Sequence, residues 1–209
     1  MFKLSIDLNL ICVSLFVLVC AILLLFVLLD VNYFLRVGFT ILKGRYFEKP
    51  VKIDGTSEIF DICTTNDLDL FLNYMSNSRY VRAADFGRFH FLDRTGLLKV
   101  ITKAKAHIMQ GACNVRFRRP IPLTSTYKLT TKIVYWDEKS IFFEQQFITS
   151  DGFIRAVIIS QNKLINLSVP ETMAKLMDKD ESYRPDIPEE VKLWVSSITA
   201  SSNRLRKTD

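Results

Sequence analysis

Histidine and cysteine are scarce in this chain of 209 residues. Its two histidines, His90 and His107, give metalloenzyme or His-triad chemistry little material. Of its four cysteines, Cys12 and Cys20 lie inside one apolar run, while Cys63 and Cys113 share no motif. That pattern excludes a disulfide scaffold and a Cys-based zinc site. No metal and no cofactor are expected. With 7 glycines and 6 prolines the chain is neither collagenous nor low-complexity. It has no G-x-S-x-G, which argues against an α/β-hydrolase esterase. It also lacks a P-loop and a G-x-G-x-x-G, so nucleotide and dinucleotide chemistry are without their signatures. A net charge of +6 is the sole hint of nucleic-acid binding. Several of those cations flank the apolar run and have another explanation, so no nucleic-acid partner is expected. There is no internal repeat.

What the chain has in abundance is hydrophobicity, concentrated in residues 10–29, LICVSLFVLVCAILLLFVLL. Ser14 is the one polar residue in that run. At about 1.5 Å per residue, a helix of this length rises roughly 30 Å, the thickness of a bilayer's hydrocarbon core. We read it as a transmembrane anchor. The alternative is a secretory signal, which would leave the mature protein secreted after cleavage. Signals have a shorter apolar region and a small-residue cleavage site, and LLDVNYFLR follows here instead. Before the run stands Lys3, opposed by Asp7; after it come Arg36, Lys43, Arg45 and Lys49. Cations stay on the cytosolic side, so the bulk of the chain is expected to face the cytosol. The sequon Asn166-Leu167-Ser168 would then lie on the wrong side for glycosylation. Residues 33–47 mix aromatics with Arg and Lys, as an interfacial helix does; an ordinary linker is the other reading.

The rest is long enough for one sizeable core. Residues 57–64 read as a strand, 65–77 as a polar loop, and 78–91 as a helix. The apolar face of that helix is small in its middle, at Ala83, Ala84 and Gly87. Such a face suits a helix lying very close to a curved sheet. Gly96 ends the helical region. Strands are expected over 104–117, 125–136, 141–149 and 153–167, joined by turns at Asp137-Glu138-Lys139 and Ser150-Asp151-Gly152. Tyr127, Leu129, Thr131, Ile133 and Tyr135 alternate onto one face. Helices follow over 170–177 and 188–205. The expected organisation is an anchor with an interfacial segment (1–49), an α+β domain (50–168) and a helical extension (169–209). A buried helix wrapped by a curved antiparallel sheet is the hotdog architecture.

The informative tract is Asp67-Leu68-Asp69, then Asn77-Ser78-Arg79-Tyr80-Val81, then Asp85 and Arg88. It resembles the segment that opens the central helix in hotdog acyl-thioesterases of the 4-hydroxybenzoyl-CoA type. There a D-x-D loop precedes H-x-N-N, an aromatic at the helix start, and an acid and an Arg further along. Tyr80, Asp85 and Arg88 stand in those places. The resemblance implies a hotdog fold, an acyl-CoA or other acyl-thioester substrate, and a homodimer paired edge to edge. Taken with the run leading into LLDVNYFLRVG, it extends to membrane-anchored members of the superfamily and implies the endoplasmic reticulum.

The chemistry can be stated in general terms. A helix N-terminus exposes unpaired N–H groups and positive dipole character. Aimed at a thioester carbonyl, they form an oxyanion hole. A carboxylate just before the helix activates water or attacks directly. By the resemblance, Asp69 is the first choice for that acid and Asp67 the second. Asn77 matches the second Asn of the pair and Ser76 replaces the first. The helix-start amides would come from about Met75 to Asn77. The family's His place holds Tyr74, or Asn73 if the loop is one residue longer. Neither is a base at neutral pH: an amide does not titrate, and a phenol has a pKa of about 10. Two functions therefore stand side by side: a thioester hydrolase at a membrane surface, and a catalytically degenerate binder or scaffold on the same fold. Arg118 and Arg119, in the run Arg116-Phe117-Arg118-Arg119, could hold the phosphates of coenzyme A or anionic lipid headgroups, or be a solvated strand end. Asp67, Asp69, Asn73 and Asn77 are also preferred capping residues. Asp85 and Arg88 are spaced for a helix-surface ion pair. His107 is expected to pack or hydrogen-bond within its strand and Cys113 to be a small buried side chain. His90 is given no catalytic role.

Overall fold

A continuous stretch of Leu, Val, Phe and Ile without Pro or charge forms helix α1, Leu8–Leu28. Leu10–Leu28 has a mean hydropathy of 3.3, none of it is buried, and it is long and apolar enough to cross a membrane. The Ser14 hydroxyl donates to the Leu10 carbonyl (2.8 Å), so the run's one polar side chain is satisfied within the helix. After a break at Leu29 and Asp30, helix α2 spans Val31–Phe47; Asp30 Oδ1 accepts from the Tyr33 N–H (3.3 Å) at its start. This computed structural model describes residues 8–71 and 73–206, which fall into two compact units divided between Thr40 and Ile41. Lys3 and Asp7, used above for orientation, lie outside the described residues.

The second unit holds five strands: β1 (Thr56–Ile62), β2 (His107–Phe117), β3 (Thr126–Trp136), β4 (Ser140–Thr149) and β5 (Ile154–Ile165). They form one antiparallel sheet in the order β1-β3-β4-β5-β2. The tight turns have local causes. Asp137 Oδ1 accepts from the N–H groups of Lys139 (2.8 Å) and Ser140 (2.7 Å), closing the β3–β4 turn. Asp151 does the same for β4–β5, accepting from the Phe153 N–H (3.0 Å) beside Gly152, whose φ is +75°.

Helix α3, Asn77–Arg94, packs against this sheet. The small-residue face does what its composition implies. Ala84 is fully buried, and a Cβ built on Gly87 would lie 2.7 Å from Thr131 Oγ1. Gln145 Nε2 donates to the Ala84 carbonyl (2.7 Å) and to Thr131 Oγ1 (3.1 Å), binding helix to sheet by polar contacts as well. Helix α4 (Leu97–Lys103) turns off α3 through Gly96, at φ +79°. Helices α5 (Val169–Met177) and α6 (Glu189–Arg206) complete the chain. The sheet is covered on both faces. Ile141 and Phe143 join Phe91, Leu97 and Met173 in the main core, while Phe142 and Ile159 meet Val191 of α6 on the other face.

Three expectations require correction. Tyr135 does not share a face with Ile133. A β-bulge between them pairs Ile133 with Phe143 but Tyr135 with Phe142, so the Tyr135 ring packs near Phe142 (5.7 Å between centroids) in the α6 cluster. Cys113 is exposed rather than buried, and His107 is exposed too. Both lie on β2, an edge strand that is mostly open to solvent. The sequon residues serve the fold: Asn166 takes a left-handed turn (φ 64°) and Ser168 caps α5.

The end of α2 belongs to the second unit and packs on α3. Gly44 lies so close that a Cβ there would meet Arg94 Cδ at 2.9 Å. Arg45 pairs with Asp93 (2.6 Å), Glu48 Oε2 meets His90 Nε2 (2.8 Å), and Val51 donates to the Arg94 carbonyl (3.1 Å). His90 is 1% exposed, and burial pushes its pKa below the ordinary histidine value despite the Glu48 carboxylate. The neutral ring with its proton on Nε2 suits this site, because the buried Nδ1 has no partner among the described residues.

Candidate active site

Two carboxylates two residues apart receive opposite surroundings. The chain leaves β1 into a single 3-10 turn, Thr65–Asp67. Asp67, 5% exposed, folds back so that Oδ2 accepts from the Thr64 N–H (3.0 Å) and the Thr64 hydroxyl (2.9 Å). Its backbone carbonyl accepts from the Ser76 N–H (2.8 Å). Asp67 therefore closes the loop. Asp69 is half-buried instead, and its Oδ1 is enclosed without a hydrogen-bond partner among the described residues. The Tyr74 phenol faces the Asp69 carboxylate, whose hydrogen-bonding influence and charge raise the phenol pKa above its usual value. The two residues are brought together by backbone pairing: Asp69 N–H donates to the Tyr74 carbonyl (3.1 Å), and Leu68 bridges Met75.

The start of α3 is fastened by the segment before β3. Met75 N–H donates to the Ile121 carbonyl (2.8 Å), and Ile121 N–H donates to the Tyr80 hydroxyl (3.0 Å). Leu123 N–H donates to the Asn73 carbonyl (3.1 Å). Ser76 is the N-cap of α3, its hydroxyl 3.1 Å from that of Ser78. The amides of Met75 and Ser76, expected as oxyanion donors, are thus engaged in holding the loop. Asn77 and Ser78 open the helix, and none of the described residues accepts from their N–H groups.

These elements enclose a cleft of about 390 Å³. Tyr74, Met75, Asn77 and Tyr80 form its helix side; Phe117, Arg118, Arg119 and Pro120 form the other. Of the residues singled out from sequence, Tyr74, Met75, Asn77, Arg118 and Arg119 meet here, and Asp69 joins through Tyr74. Asn73 is exposed, while Asp67 and Ser76 support the loop without lining the cleft. Arg118 and Arg119 stack on the Phe153 ring, their guanidinium carbons 4.7 and 4.4 Å from its centroid. Arg155 lies 5.3 Å from the same ring and is tied to Asp151 (2.7 Å). The stacking orients two cations at the cleft without neutralising them.

Sequence reasoning missed the wall formed by Phe117 and Pro120, for which the local pattern carries no signal. Asp85 and Arg88 form the ion pair that their spacing suggests. Cys63 is not a nucleophile candidate: burial, together with Asp67 and Asp61, pushes its thiol up to about 11. Among the described residues no cluster of side chains is suited to a metal ion.

The chain resembles known proteins along most of its length. The profile of the Thioesterase-like superfamily matches residues 63–195. A Drosophila melanogaster relative, Protein THEM6, is 46% identical over 88% of this chain and 95% of its own length. Relatives of the same name from Xenopus laevis and Danio rerio are 37% and 38% identical over 87% and 88% of this chain, and over 87% and 91% of their own lengths. Among solved structures, the probable thioesterase YbaW of Escherichia coli superposes with a TM-score of 0.54 at 16% identity, covering 58% of this chain and 96% of that one. A hypothetical protein of Staphylococcus aureus in complex with CoA superposes with a TM-score of 0.52 at 14% identity, covering 68% of this chain and 96% of the other. These two share the hotdog fold with it. The α+β sheet wrapped on α3, the loop that opens that helix and the sequence matches agree, and the chain belongs to the thioesterase-like hotdog superfamily.

Proposed function

We propose that the protein is a membrane-anchored acyl-CoA thioesterase in which Asp69 is the general base or nucleophile. The observation that carries this reading is the Asp69 carboxylate. It has an unpartnered Oδ1 and sits against Tyr74, which lines a cleft at the start of α3. In the base mechanism Asp69 takes a proton from water as the oxygen attacks the thioester carbonyl. The developing oxyanion is held by the N–H groups of Asn77 and Ser78. Collapse breaks the C–S bond and expels the thiolate, which is reprotonated; a thiol pKa near 8.5 makes it a good leaving group. Arg118 and Arg119 supply the charge that coenzyme A phosphates require. The CoA-bound Staphylococcus aureus relative of this fold supports that ligand class.

The apolar helix α1 holds the catalytic unit at a membrane, on the cytosolic side by the cation rule and at the endoplasmic reticulum by resemblance. Exposed sheet edges at β1 and β2 support pairing of two chains.

One feature favours a second reading, binding without turnover. No histidine reaches the cleft, and the phenol of Tyr74 is set against the carboxylate that would act. Thiol release from a panel of acyl-CoA chain lengths, measured on the full chain in detergent, separates the two. Turnover that disappears in Asp69→Ala establishes the hydrolase. Turnover unchanged by Asp69→Ala removes Asp69 from the mechanism. Saturable acyl-CoA binding without thiol release selects the binder.

A further inference from the structure

A second cleft, of about 660 Å³, shares no residue with the first. It is walled by Arg45 at the end of α2, by Asp93 and Arg94 at the end of α3, and by Lys99 and Lys103 of α4. We infer that this cleft is a binding site for a phosphate monoester, and that the phosphate is the headgroup of an anionic lipid.

The charge balance is the first argument. Four cations face one acid. That acid, Asp93, is committed to Arg45, whose Nε and Nη2 donate to Oδ1 at 2.9 and 2.6 Å. A surplus of positive charge remains inside a concave site of a size typical for small-molecule ligands. The second argument is Arg94. It is 8% exposed, and it lacks an ion-pair partner among the described residues. Its Nη2 donates to the Glu48 backbone carbonyl, and its Nε has no partner. The Glu48 carboxylate is turned to His90. A guanidinium buried this far without a counter-charge is costly, and a bound anion would offset that cost. The third is geometry. Lys99 and Lys103 stand one helical turn apart on α4, so both ammonium groups project from one side, and Arg94 lines the same cleft.

The chain itself argues for a lipid source. Only the break at Leu29 and Asp30 and residues 31–44 of helix α2 separate the apolar helix from Arg45. Along α2, the chain rises about 21 Å from Val31 to Arg45. This source rests on the reading that α1 is an anchor. Recognition of phosphate by the cleft does not, and neither part rests on thioester chemistry.

The test uses the full chain in nanodiscs of phosphatidylcholine alone, with phosphatidate, or with phosphatidylglycerol at the same surface charge. The readout is the rate of amine acetylation at Lys99 and Lys103 by mass spectrometry, relative to Lys132, which is paired with Glu144 on the sheet. Phosphatidate in excess of its dissociation constant is expected to slow labelling of both lysines about ten-fold, and phosphatidylglycerol to slow it far less. Arg94→Gln is expected to abolish the protection. Because that change removes a buried contact, the exposed Lys99→Gln, read at Lys103, serves as a parallel variant. Equal protection by the two lipids overturns the site in favour of diffuse surface attraction. Protection by inorganic phosphate on phosphatidylcholine discs, without protection by phosphatidate, keeps the phosphate site and overturns the lipid source. No protection by any of them overturns the proposal. Failure of the chain to co-elute with the discs overturns the anchor and the lipid source, while the inorganic phosphate arm still reads the cleft.

Discussion

Replacing Gly87 by alanine sets two effects of opposite sign against each other. In a helix interior, Gly→Ala gains about 1 kcal/mol from backbone entropy alone. Here the new Cβ would lie 2.7 Å from Thr131 Oγ1, 2.9 Å from Gln145 Nε2 and 3.0 Å from Leu129 Cδ2. Thr131 and Gln145 are fully buried and belong to the adjacent interior strands β3 and β4, so they have little room to withdraw. Gln145 is further held by its bond to the Ala84 carbonyl, one turn before Gly87. Relieving the clash requires either a shift of the helix, at about 1–3 kcal/mol for overpacking, or loss of the Gln145 bond, at about 1–3 kcal/mol for an unsatisfied buried group. At the middle of that range, about 2 kcal/mol, steric cost wins and the net destabilisation expected is about 1 kcal/mol. For a chain of this size that is a drop of roughly 2–4 °C in the unfolding midpoint. The assay is thermal unfolding of the full chain in detergent, followed by fluorescence of Trp136, which is 4% exposed. A midpoint equal to or above that of the unaltered protein would refute the close approach of α3 to the sheet. The double variant with Thr131→Ala checks the cause: removing the nearest contact should make the two losses less than additive.

The two aspartates of the loop are expected to separate by phenotype. Asp69→Asn should reduce thiol release at least about 100-fold, the usual contribution of a general base, with the unfolding midpoint little changed; undiminished turnover would exclude that role. Asp67→Ala should instead cost about 1–2 kcal/mol of stability, since it removes the loop's internal cap. A variant as stable as the parent would contradict the loop-closing assignment. The Tyr74 phenol should titrate above its usual pKa of about 10 in an absorbance titration and move back toward it in Asp69→Asn; no movement would deny the contact. His90 carries a pH dependence of stability whose sign follows from burial. Its folded pKa lies below the unfolded value of about 6.5, so the unfolded chain binds more protons as pH falls through and below that value. Stability is full above pH 6.5 and is lost on acidification; in His90→Gln that part of the loss should vanish. A His90→Gln chain with the same acid sensitivity as the parent would show that His90 is not its source.

Several features of the fold are written in local sequence. The apolar run, the strand alternations, the Asp-based turns and the small face at Ala83, Ala84 and Gly87 each depend on residues near one another in the chain. Helix α4 was not legible, because seven residues between Gly96 and a long strand give too short a period to stand out. The face of Tyr135 was not legible either, since a one-residue bulge reverses the alternation that the sequence displays. Cys113 illustrates a different limit. Its alternating neighbours describe a strand, but only the position of β2 at the sheet edge, beyond β5, leaves that side chain open to solvent.

The site shows the division most clearly. By itself the sequence determined that a hydrophobic helix precedes an α+β domain, and that acids and amide side chains crowd the entry to its buried helix. Residue chemistry alone did not distinguish Asp67 from Asp69, two residues apart; the resemblance ranked Asp69 first. Tertiary structure gives the two different surroundings. The 3-10 turn folds Asp67 onto Thr64, while strand-like pairing across the loop sets Asp69 against Tyr74. The cleft itself is made by chain segments about forty residues apart, where Ile121 fastens Met75 and Tyr80 and so brings Arg118 and Arg119 opposite the helix start. Contacts at that separation arise from sheet order and register, which local periodicity does not encode.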